Sequence, residues 1–172
     1  MQTAKLTRCA VLTALALALS LLERALPLLA WIPLPGVKLG LSNIVTLFAL
    51  LTLGAPYAAA ILLLRAVLAS IFAGSLTSLV YALAGGALSL LVMTLASRSR
   101  RLSVYGVSVL GAAAHSVGQI LAAAALMGSG AVFSYLPLLL LVSVGTGALI
   151  GAATAGVLQG WDALRARREA CR

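Results

Sequence analysis

Few residues in this sequence can do chemistry. Its 172 residues include three acids, Glu23, Asp162 and Glu169, and one histidine, His115. The two cysteines, Cys9 and Cys171, lie at opposite ends. A carboxylate metal cluster, a zinc finger and a paired-carboxylate hydrolase each need more than this. No stretch carries the glycine-rich pattern of a phosphate loop. The expectation is no catalytic residue, no metal and no cofactor. Energised work would draw on a partner or a gradient.

What remains is a handful of polar residues in apolar surroundings. Arg65 stands in a long apolar run, Tyr57 to Phe72. Two readings of it stay open. Its planar, bidentate donors suit an anionic or carbonyl-bearing solute. Equally, backbone carbonyls or Glu23 would satisfy it. His115 and Gln119 are spaced i, i+4 and share a helix face. They serve either as interhelical hydrogen-bonders or as contacts to a solute. Gly111 and Gly118 beside them admit a close neighbour, helix or ligand. Tyr81, with Ser78 and Thr77, and the pair Ser143 and Thr146 are further candidates, the hydroxyl residues fitting helix–helix contacts better.

These residues must be positioned by membrane helices. Apolar residues make up 63% of the chain and charged residues 9%, against about 45–50% and 25% in soluble domains. One water-soluble core cannot hide that much apolar surface. The reading is an all-α, polytopic membrane protein forming a single transmembrane domain. Six spans are expected, at about residues 6–22, 39–53, 57–72, 76–96, 104–127 and 133–158, followed by a short basic tail, 159–172. Arg65 then lies near mid-depth, where an arginine costs about 2.5–3.5 kcal/mol on insertion scales.

An even number of spans puts both termini on one side. Lys5 and Arg8, Arg98, Arg100 and Arg101, and Arg165, Arg167, Arg168 and Arg172 share that side, against Arg24 and Lys38 opposite. This asymmetry predicts cytoplasmic termini in a prokaryotic cell membrane. It also accounts for the net charge of +9 better than nucleic-acid binding does. Both cysteines then face a reducing compartment, and no disulfide is expected.

Two further features concern partners. The run Pro33 to Ile44 joins helix breakers to Lys38, Ser42 and Asn43. So much proline makes a stiff loop, read as an external lid with Lys38 and Asn43 at the mouth of a cavity; a re-entrant connector is the other reading. Trp31 suits the membrane–water boundary. Ala10, Ala14 and Ala18 form a smooth stripe on span one, widened by Thr13 and Ala16. Small residues in line let another helix pack closely in lipid, although in an alanine-rich sequence spacing alone is weak evidence of docking.

Together these features resemble the substrate-binding S components of energy-coupling factor (ECF) transporters. More specifically, Pro35-Gly-Val-Lys-Leu-Gly-Leu-Ser-Asn-Ile-Val-Thr-Leu47 is similar to the motif of the Gx transporter family, also described as heptaprenyl diphosphate synthase component I. The resemblance covers about residues 5–160. It implies a capture protein holding a small metabolite in an outward-facing pocket under the loop between spans one and two. It implies docking of Ala10, Ala14 and Ala18 on a transmembrane T protein, with two cytoplasmic ATPases supplying energy.

The synthase description meets a chemical objection. A prenyl chain-elongating enzyme holds Mg²⁺-diphosphate with clustered carboxylates, and this sequence has no acid pair. The alternatives are a non-catalytic membrane accessory of an isoprenoid synthase, or an autonomous proton-coupled carrier. The carrier would depend on His115, the only titratable candidate in the path.

Overall fold

The computed structural model describes residues 2–25, 40–99 and 101–170. Among the described residues every regular element is a helix: α1 (Gln2–Ala25), α2 (Ser42–Thr52), α3 (Ala55–Ala73), α4 (Leu76–Ser97), α5 (Val104–Met127) and α6 (Leu136–Ala170), with a short 3-10 helix, Gly130–Tyr135, before α6. The all-α expectation holds. Lys38, Trp31, Cys171 and the proline-rich segment read as a lid lie outside the described residues.

The local sequence sets the breaks. Pro56 stands in the first turn of α3, and Gly74 and Gly128 close α3 and α5 in the left-handed conformation. Ser75 and Ser103 accept from the backbone N–H groups of Ser78 and Gly106 and so cap α4 and α5.

Five helices, α1, α3, α4, α5 and α6, are long and apolar enough to cross a membrane. The span read at 39–53 differs. Its helix, α2, has 11 residues, about 16 Å, roughly half a bilayer core. The segment read as a tail also differs, because α6 continues as one helix of 35 residues through Ala170. At about 52 Å it outreaches the hydrocarbon thickness.

The bundle turns small and polar groups inward and large apolar ones outward. On α3, Ala58, Ile61, Leu62, Arg65, Ala66, Ala69 and Ser70 are buried, following the helical repeat. Leu63, Leu64, Val67, Leu68, Ile71 and Phe72 are exposed. Such an exterior suits lipid, where small residues rather than bulky ones draw helices together. On α1 the inward face is Cys9, Thr13, Ala16, Ser20 and Glu23. Ala10, Ala14 and Ala18 lie outward and exposed. Thr13 and Ala16 therefore do not widen the stripe; they sit on the neighbouring face, which packs on α2 and α3.

Successive helices run antiparallel, and the start of α1 and the last turns of α6 share one end. There Arg8 and Arg165 lie over the ring of Trp161 at 5.2 and 5.5 Å, and Lys5 lies over Tyr57 at 5.9 Å. Phe48 of α2 meets the same indole edge-on at 5.9 Å. Between Ser42 and Leu50 only Ile44 is not buried. The helix contacts α1, α3, α4 and α6 and forms the axis of this half of the bundle. It begins at mid-depth, where Ser42 meets Arg65 halfway along α3. Beyond that level α5 and α6 line the axis instead.

Candidate functional site

Two polar groupings meet where α2 begins. The first joins α1, α2 and α3. Arg65 is only 6% exposed. Its Nη1 donates to the Ser42 hydroxyl at 2.6 Å and, at 3.4 Å, to that of Ser20. Glu23, also buried, lies within electrostatic reach of the guanidinium and accepts from the Gly40 N–H at 2.5 Å. Gly40 has φ +79°, a conformation that favours glycine. An added Cβ there would sit 3.1 Å from the Asn43 amide nitrogen.

The second grouping is a cleft between α5 and α6, above the start of α2. Gly40 and Asn43 form its floor; His115, Ser116 and Gln119 of α5 face Ser143 and Thr146 of α6 across it. Ala112, Leu139 and Val142 supply apolar wall. Its empty space is about 370 Å³, open mouth included. The enclosed part is narrow, with room for about one or two waters.

Close helix packing positions α5. A Cβ on Gly118 would lie 2.6 Å from the Ala84 carbonyl oxygen and 2.8 Å from Gly85 Cα, so α4 and α5 touch backbone to backbone. Gly111 lies against the Met93 side chain, and Gly147 of α6 against the backbone of Val109. The close neighbour expected at Gly111 and Gly118 is thus a helix. Gly85 lies against His115 and Gln119, backing both side chains on the side away from α6.

Of the residues singled out from sequence, Asn43, His115 and Gln119 come together at the cleft. Arg65 lies beside it but not on its wall, one residue removed through Ser42 and Asn43. Tyr81 packs with an apolar cluster of Ile120, Ala123, Val132 and Leu139. Lys38 is outside the described residues. Sequence reasoning missed Ser20 as an acceptor for Arg65 and Gly40 as the backbone link to Glu23. The available signal was that a lone arginine in the spans and a lone acid at a span end need each other.

The hydroxyls of the cleft lean on their own helices. Ser143 donates to the Leu140 carbonyl at 2.8 Å, Ser116 to Ala112 at 3.3 Å and Thr146 to Ser143 at 3.4 Å. A hydroxyl whose proton is so placed offers lone pairs elsewhere. The amides of Asn43 and Gln119 offer both donors and acceptors.

No curated protein and no solved structure shows a significant match to the chain. A family model does, over residues 12–157, and it is the family whose motif residues 35–47 resemble. The chain belongs to the family described as heptaprenyl diphosphate synthase component I.

Proposed function

We propose that this chain is a non-catalytic, solute-binding membrane subunit of an ECF-type transporter. It spans the membrane six times, with the half-length α2 in the second crossing, and both termini face the cytoplasm. It takes a small metabolite from outside, and a T protein with two ATPases drives uptake. The observation that carries this reading is the cleft. Neutral polar side chains from α2, α5 and α6 converge at mid-depth in an otherwise apolar bundle, as a solute site requires. The outward exposure of Ala10, Ala14 and Ala18 supports a helix-docking face. The family's description as a component fits a subunit that works with partners.

The test is reconstitution with candidate T and ATPase subunits. Wild-type protein is expected to co-purify with them and support ATP-dependent uptake. Ala14→Trp, at an exposed position, should abolish both without lowering the unfolding temperature of the isolated subunit. Intact complex formation and uptake in that variant would refute the docking face.

The family description favours one other reading, a membrane accessory of a heptaprenyl diphosphate synthase. It predicts co-purification with a soluble synthase, through the basic loop Arg98 to Arg101 or the far end of α6, and no solute in the cleft.

A further inference from the structure

We propose that the cluster of Arg8, Trp161 and Arg165 binds the phosphate group of an anionic membrane phospholipid. This site lies at the other end of α2 from the cleft and does not depend on solute capture.

The first argument is the donor set. The Arg8 and Arg165 guanidinium groups lie over one indole ring, 5.2 and 5.5 Å from its centroid. The ring attracts each of them, while the two like charges repel one another. The Trp161 indole nitrogen is buried and has no hydrogen-bond partner among the described residues. Guanidinium and indole N–H groups only donate, so the cluster calls for an acceptor that carries negative charge. A phosphate diester meets that need. Its oxygens match the planar fork of an arginine, and its charge offsets the repulsion between the two. Residues 1–10 and 159–172 hold six basic residues, Lys5, Arg8, Arg165, Arg167, Arg168 and Arg172, against two acids, Asp162 and Glu169. By sequence alone this end of the bundle is positive.

The second argument is place. Trp161 stands three residues beyond Leu158, where the apolar run of α6 stops. That is the level of a bilayer interface, which tryptophan favours. On α1 the face that carries Arg8 continues into Val11 and Leu15. On α6 the face that carries Arg165 and Trp161 continues into Val157. Val11, Leu15 and Val157 are all exposed. Donors at the head of two exposed apolar stripes match an amphiphile, with its phosphate on the arginines and its acyl chains along the stripes. A free phosphate ion would leave the stripes unused.

The test is native mass spectrometry of the full chain, purified in neutral detergent and titrated with lipid. Dioleoylphosphatidylglycerol is compared with dioleoylphosphatidylcholine, which has the same acyl chains and no net charge. One phosphatidylglycerol should be held about fivefold or more tighter than phosphatidylcholine. Arg8→Gln combined with Arg165→Gln should weaken that binding about tenfold or more. Arg98→Gln combined with Arg101→Gln removes as much charge from an exposed loop elsewhere and should change it less than about twofold. If the Arg8 and Arg165 double variant does not unfold cooperatively, Arg8→Gln and Trp161→Phe alone decide, each weakening binding about threefold. No preference for phosphatidylglycerol would overturn the proposal. Equal losses in the two double variants, or full binding in both single ones, would overturn the assignment to this cluster. Inorganic phosphate should displace the lipid no more than sodium chloride does at equal ionic strength. Stronger displacement, with phosphate itself retained on the chain, would overturn the lipid as the source of the phosphate group.

Discussion

The two polar groupings at the start of α2 lie side by side and are built on opposite plans. Around Arg65, opposite charges and two serines draw α1, α2 and α3 together. Across the cleft, uncharged amides, hydroxyls and an imidazole surround space between α5 and α6. In a medium without water, a charge is tolerated where another charge and fixed dipoles answer it. Neutral polar groups can be left facing a space at much lower cost. The difference teaches that the most conspicuous polar residue of the chain need not be the one that meets a ligand. Arg65 fixes where α2 begins, and through Ser42 it sets the position of Asn43 at the cleft floor.

That contrast can be broken by substitution. The largest loss is expected for Arg65→Met, which removes the positive charge within electrostatic reach of buried Glu23 and the donor to Ser42. Stability should fall by about 3–5 kcal/mol, read from denaturant unfolding in micelles. Adding Glu23→Gln should recover most of the loss, as a double-mutant cycle would register. If Arg65→Met cost no more than a cleft substitution, the two regions would not differ as described.

Next comes the packing that backs the cleft. Gly118→Val should cost about 1–3 kcal/mol, because its Cβ would meet the α4 backbone. At Gly145 an added Cβ meets nothing within 4 Å. Gly145→Ala should change stability by less than about 0.5 kcal/mol. Equal effects on the unfolding midpoint would contradict the backbone contact between α4 and α5.

Trp161→Ala removes an indole held between Arg8 and Arg165 and against Phe48. A loss of about 1–2 kcal/mol is expected, with solute binding unchanged because the contact lies at the opposite end of α2. Gln119→Leu should show the reverse pattern. An apolar side chain of similar size replaces an amide, so stability should shift by about 1 kcal/mol or less, while solute binding is lost. These two variants, measured together, separate the region that holds the bundle from the region that serves it.

Most of the helices were legible in the sequence because long apolar runs and their glycine, proline and serine punctuation are local signals. The runs read at 57–72, 76–96 and 104–127 match α3, α4 and α5 within two residues at each end. The two differences have local causes as well. α2 is bounded by the Gly40 turn, which a window of apolar residues does not register, so the run read as a span holds a half-length helix. Between Leu158 and Arg167 α6 meets no proline, and Gly160 alone costs only about 1 kcal/mol, so helix propensity continues where apolar character stops.

The site was legible in part. The i, i+4 pair His115 and Gln119 and the position of Asn43 identified three cleft residues. Hydroxyls at Ser143 and Thr146 were visible as polar residues, but only the antiparallel register of α5 and α6 brings them across from His115. Glu23 as the group that answers Arg65 was one of two readings of the sequence, but the hydroxyl acceptors Ser20 and Ser42 were not legible, because these residues come from three helices. Distances of that kind depend on tertiary packing. On α1, spacing identified the alanine stripe but not its direction, which follows from the buried series Cys9, Thr13, Ala16, Ser20 and Glu23.

The central claim is that the space between α5 and α6 holds a solute. Native mass spectrometry of the chain, extracted gently from membranes of cells grown in rich medium, tests it most directly. The account predicts a small-molecule adduct on wild-type protein and on Ala14→Trp, and none on Gln119→Leu. Wild-type protein without an adduct, or an adduct retained equally by Gln119→Leu, would contradict it.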